Sequence, residues 1–150
     1  MSNLIHKSYF ENNIGRILLP LFSLVLIFHS GLGLTQERNS EITNLSTIYL
    51  DAIADEMFDE ADQIAKQIVE QSIQIYGLDS HESANALIKL AMAQQGHQDY
   101  ELAILNYESA IVIIERIENR LNKDLINPLK GLAEAQLKMN RMDLARDTYN

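Results

Sequence analysis

The sequence predicts an all-α fold built as a solenoid of stacked helical hairpins, an α-α superhelix. Three observations carry that reading. Six Gly and two Pro in 150 residues are few for a β-rich or disordered chain. A shift of 42 residues superimposes like on like along most of the chain. At the superimposed positions, small and large apolar residues alternate at helical rather than strand spacing.

The first element in order is a targeting segment. Residues 17–28, ILLPLFSLVLIF, carry no charge; Lys7 and Arg16 precede them, and Ser30, Gly31 and Gly33 follow before the chain turns polar at Gln36. That is the layout of a secretory signal: a basic start, an apolar centre and a small-residue cleavage region. Extending the run to Leu34 takes in His29, Ser30 and two Gly, short of the about 20 apolar residues of a spanning helix. The readings are a cleaved signal over 1–33, an uncleaved anchor that tethers the chain to the membrane through residues 17–34, or a buried helix. In the first two the positive charges hold the N-terminal end in the cytosol, and the remainder is exported, periplasmic or secreted. Residues 34–41 read as a linker.

From 42 to 150 the self-similarity organises everything. Ala61, Ala103 and Ala145 share one slot; three positions earlier stand Phe58, Tyr100 and Met142. Twelve positions before each Ala lie Tyr49, Ala91 and Ala133, preceded by Ile48, Leu90 and Leu132, and by Leu45, Leu87 and Leu129. Four positions after the Ala come Ala65, Tyr107 and Tyr149, and seven after come Ile68 and Ala110. Two antiparallel helices approach closely where small residues meet. Ala91 and Ala103 are therefore expected at the crossing, with Leu87, Tyr100 and Tyr107 filling the space around it. Gly96 is expected at the turn, using the positive φ that Gly adopts cheaply. Gly77, followed by Asp79 and Ser80, marks the end of one helix and the start of the next. Six helices follow from this reading: 42–55, 58–76, 80–95, 98–121, 124–139 and 142–149.

LIKLA (87–91), YELAILNYESAI (100–111), LKGLAEAQ (129–136) and MDLARDTY (142–149) resemble the tetratricopeptide repeat family in its 42-residue form, as in kinesin light chains. IYGLDSHESA (75–84) is similar to the family's inter-repeat connector, with Leu78 and His81 where Pro is usual. The resemblance covers about residues 42–150, as repeats 42–83, 84–125 and an incomplete 126–150. Its first register departs most, with Tyr49 in place of a small residue and Ala65 in place of an aromatic one. The resemblance implies a protein or peptide partner held on the concave face. The groove slots there are Ile88, Lys89, Met92, Gln95, Lys130, Glu134 and Lys138, with Ser46, Leu50 and Asn127 also turned towards it. The packing slots are Leu87, Leu90, Ala91, Tyr100, Ala103, Tyr107, Ala110, Leu129, Leu132, Ala133 and Ala145.

Charge narrows the partner. Twelve Lys+Arg against 21 Asp+Glu give −9. Residues 34–108 hold 3 basic and 14 acidic side chains, a net of −11, and residues 109–150 hold 7 and 6. Nucleic-acid binding, which needs a basic footprint, is not expected. Asp55, Glu56, Asp59, Glu60 and Asp62 read as acids suited to a helix N-terminus, with a basic partner or a calcium ion as the alternatives. His81 and His97 read as boundary residues without metal-ligand spacing. No nucleophile–base set, phosphate loop or carboxylate pair stands out, so neither an enzyme nor a cofactor is expected. The run Ile111–Ile114 reads as a helix packed between two repeats, or as an oligomer face. With the last register incomplete, self-association through that end is expected. Three functions remain: an exported scaffold, the sensor or docking head of a larger protein, and a homo-oligomer built on Ile111–Ile114.

Overall fold

The computed structural model describes residues 36–118 and 122–149. The segment expected to be a signal or anchor, 1–33, lies outside them. No helix of the described residues is long and apolar enough to cross a membrane. The chain divides into two units, Met1–Asn39 and Ser40–Asn150. In the first, residues 36–39 are helical and exposed.

The second unit is all-α and follows the predicted order. Within it helix α1 covers residues 40–54, so that 40 and 41, expected as linker, are helical. It is followed by α2 (Phe58–Tyr76), α3 (His81–Gly96), α4 (Tyr100–Ile117), a 3-10 turn (Lys123–Leu125), α5 (Ile126–Lys138) and α6 (Met142–Tyr149). From α2 onward each helix packs chiefly on its neighbours in sequence, and Tyr49 and Ala52 of α1 share a core cluster with Ala61, Ile64 and Ala65 of α2, so the described helices form consecutive hairpins. Helix α4 ends four residues before the predicted 121, because Glu118 turns to extended backbone (φ −126°, ψ −162°). Its carboxylate there meets His81 Nε2 at 2.8 Å.

The 42-residue period is written into the backbone. The turns α1–α2, α3–α4 and α5–α6 each place one residue in the left-handed region: Glu56 (φ 58°), Gln98 (φ 70°) and Asn140 (φ 60°). The following N–H groups reach five residues back, Met57 to Ala52 O, Asp99 to Gln94 O and Arg141 to Gln136 O, at 2.8, 2.8 and 2.9 Å. Glu56, Gln98 and Asn140 themselves donate to Ile53, Gln95 and Leu137. These paired bonds define the Schellman helix ending, which satisfies the last carbonyls of the first helix of each pair. The α2–α3 connection uses a different device. Gly77 carries φ +85°, and Ser80 Oγ caps α3 by accepting the Ser83 N–H at 3.1 Å.

Gly96 corrects the sequence reading. It is the last helical residue of α3, and the positive φ belongs to Gln98. A Cβ on Gly96 would lie 2.3 Å from the Phe58 ring, so glycine is needed there for close approach and not for turn geometry.

Ala91 and Ala103 are both fully buried in one cluster with Ile104, Tyr107, Leu132 and Ala135. A second cluster joins Tyr49, Ala61, Ala65 and Ile68 to Leu90 and Ala93, and a third joins Ala84, Ala110, Ile113 and Ile114 to Leu125. Of the packing slots, Leu90, Ala91, Ala103, Tyr107, Ala110, Leu132, Ala133 and Ala145 are buried, and Leu87, Tyr100 and Leu129 are half-buried. The run Ile111–Ile114 does not form one face: Ile113 and Ile114 are buried, Ile111 is half-buried, and Val112 alone is exposed.

Candidate functional site

A cleft of about 550 Å³ opens between α3 and α5. Ile88, Met92 and Gln95 stand four and three residues apart on α3 and so share one face. Asn127, Lys130, Gly131 and Glu134 do the same on α5. The Tyr107 phenol enters between them from α4. A Cβ on Gly131 would fall 2.3 Å from Tyr107 Cζ, so the missing side chain is what lets the ring lie along α5.

Polar groups cross the cleft in series. Tyr107 O–H donates to Gln95 Oε1 at 3.2 Å, and Gln95 Nε2 donates to Glu134 Oε2 at 3.4 Å. Lys130 Nζ stands 3.8 Å from Glu134 Oε1, one helical turn away. Burial first, and the charge of Glu134 second, push the Tyr107 hydroxyl up to about 12, so it is neutral at physiological pH. The chemistry on offer is recognition: an apolar wall of Ile88 and Met92, a hydrogen-bonding floor, and a rim with one charge of each sign.

Five of the seven predicted groove residues converge here: Ile88, Met92, Gln95, Lys130 and Glu134. Asn127 joins them. Lys89 does not line the cleft. It is half-buried, and its carbonyl accepts the Tyr49 O–H at 2.8 Å. Lys138 is exposed at the end of α5, outside the lining. Ser46 and Leu50, on α1, also lie outside it. Sequence reasoning placed Tyr107 only in the packing and missed Gly131 as a site residue. The available signal was a glycine inside a helix, which costs about 1 kcal/mol relative to Ala unless close packing needs it.

His81 and His97 each face a carboxylate. Asp59 and Glu60 sit in the first turn of α2, and Asp62 pairs with Lys66. His97 Nδ1 lies 3.1 Å from Asp59 Oδ1. His81, Glu118 and Asp124 bring donor atoms within 4.8 Å of one another, His81 being already engaged by Glu118. No family model matches the chain, and no curated protein matches it.

Proposed function

We propose that this chain is an exported helical-repeat scaffold of the tetratricopeptide type, without catalytic activity or cofactor, whose α3/α5 cleft binds a segment of another protein. The observation that supports the reading is convergence. Ile88, Met92 and Gln95 meet Lys130 and Glu134, some 40 residues away in sequence, around a void of about 550 Å³. That size lies in the roughly 300–1,000 Å³ range of ligand clefts. The mixed lining suits an extended peptide: an apolar side chain against Met92 and Ile88, and backbone amides against Gln95 and Asn127.

Export rests on the Ile17–Phe28 run behind Lys7 and Arg16. Fusing residues 1–60 to a phosphatase active only outside the cytosol should give activity; a stable but inactive fusion overturns export. For the cleft, tagged full-length chain and its Met92→Glu variant are compared by quantitative capture from intact cells. The expected result is a partner lost with Met92→Glu and retained with Gln67→Ala, an exposed residue of α2 outside the cleft. An identical partner set for both variants and the wild type overturns the cleft as the binding site.

A further inference from the structure

We propose that the outer face of α4 is a second docking surface, distinct from the cleft, and that its occupant is an amphipathic helix edged with Lys and Arg. Leu102, Leu105, Ser109, Val112 and Arg116 recur at steps of three and four and are all exposed. They form one stripe along the helix. The 42-residue period supplies the control. The same slots on α2 hold Glu60, Gln63, Gln67, Glu70 and Gln74, also all exposed. The fold therefore does not require apolar residues there, yet Leu102, Leu105 and Val112 leave about half of their surface in water (49, 57 and 51%). The stripe runs into a groove of about 460 Å³ that Ile73 and Leu78 complete from the other side, with Leu87 of α3 between. An apolar stripe continuous with a groove of this kind is the receiving half of helix-in-groove recognition.

Charge selects the occupant. Glu101 and Glu108, seven residues apart, run along one edge of the stripe, and both are exposed. Glu70 is exposed on α2, one turn from Ile73. Arg116, the cation of the stripe, is held by Asp79. Around the groove Glu70, Asp79, Glu101 and Glu108 thus stand against the single cation Arg116, and residues 34–108 together carry 3 − 14 = −11. A cationic helix is drawn to such a surface. A second copy would set the same glutamates against themselves across a two-fold axis, and an anionic lipid surface would be repelled in the same way.

The test uses the full-length chain and three synthetic helical peptides in fluorescence anisotropy: an amphipathic Leu/Lys helix, the same helix with Glu for Lys, and a scrambled Leu/Lys sequence. The amphipathic Leu/Lys peptide should bind at least about tenfold more tightly than either of the others. Giving α4 the α2 residues, Leu102→Glu with Leu105→Gln and Val112→Glu, should weaken it about tenfold or more with the helical spectrum and melting temperature unchanged. Should that triple variant misfold, Glu101→Lys with Glu108→Lys carries the test, and must shift preference towards the Leu/Glu peptide. Met92→Glu, in the cleft, should change nothing. The proposal is overturned by equal binding of the Leu/Lys and Leu/Glu peptides, or by insensitivity to the α4 substitutions. It is equally overturned by a wild-type dimer that the triple variant dissociates, or by anionic vesicles that displace the peptide from this face.

Discussion

The first two hairpins solve one packing problem with opposite residues. In α1–α2 the large side chain is on the first helix and the small one on the second, Tyr49 and Ala65. In α3–α4 the order is reversed, Ala91 and Tyr107. All four are buried. Both phenols serve the same slot of the following hairpin. Tyr49 reaches the Lys89 carbonyl, and Tyr107 lies against Gly131, 42 residues further on. The tyrosine that comes from the first helix of its pair meets a backbone oxygen and tolerates Lys at that slot. The tyrosine from the second helix lies across the slot and requires Gly. A second pair of slots differs in polarity. Ala52 and Ile64 are buried and apolar, whereas their counterparts Gln94 and Asn106 are joined by a hydrogen bond of 2.8 Å, as are Gln136 and Thr148 at 2.9 Å in the third hairpin. What the repeat preserves is filled volume and satisfied polar groups at fixed places, while the identity of the residue moves between helices.

The sharpest way to break this comparison is to convert one hairpin into the other. Tyr49→Ala should cost about 3–5 kcal/mol, the usual loss for an aromatic side chain removed from a core. Ala65→Tyr alone should overpack. Combined with Lys89→Gly, the two should recover most of the loss in urea denaturation, since the three together reproduce Ala91, Tyr107 and Gly131. A triple variant no more stable than Tyr49→Ala would mean that the hairpins are not interchangeable. Next in size, Gly131→Ala drives a methyl group into the Tyr107 ring and should cost about 1–3 kcal/mol. In a Tyr107→Leu background the same change should cost much less, and an equal cost in both would remove the ring contact as the reason for the glycine.

Asn106→Ala leaves Gln94 Oε1 buried without its donor and should also cost about 1–3 kcal/mol. Gln94→Ala with Asn106→Ile installs the apolar pair of the first hairpin and should lie closer to wild type than Asn106→Ala does; a larger loss would show that the polar pair is needed for more than satisfaction. The smallest effect is read in alkali. Folding raises the Tyr107 phenol above its ordinary value of about 10, so the unfolded chain loses that proton first. The stabilisation is complete below pH 10 and falls as pH rises from there towards about 12. Tyr107→Phe should flatten that part of the stability profile, with the Tyr49 phenol, also raised by burial, supplying what slope remains.

The fold was legible because apolar and small residues recur at 42 residues, and α2 was predicted at its observed bounds, 58–76. The turns were less legible. Left-handed backbone favours Gly and Asn, but Glu56 and Gln98 hold two of the three positions, and their conformation is fixed by the hydrogen bonds around them. That is why Gly96, a residue chosen for the Phe58 ring, was read as the turn. The cleft was partly legible for a similar reason. Helical spacing brings Ile88, Met92 and Gln95 to one side, but it cannot report that Tyr49, 40 residues away, captures the backbone of Lys89. The outer stripe was hidden by the apolar run Ile111–Ile114, which directs attention to residues that mostly point inward. Leu102 and Leu105 precede that run and stood out only once α2 offered a polar counterpart.

The way each helix leans mainly on its neighbours in sequence also has a kinetic meaning. Contacts that close only short loops cost little chain entropy to form, which places this unit among low-contact-order, fast-folding topologies. Its stability should then divide into a contribution from each hairpin and one from each junction, in the manner of a one-dimensional chain of coupled segments. A hairpin can loosen without dissolving the others, in the manner of a local opening seen by amide exchange. Because Tyr49 and Tyr107 each fasten their own hairpin to the helix that follows, they set how far such an opening spreads before the next segment stops it.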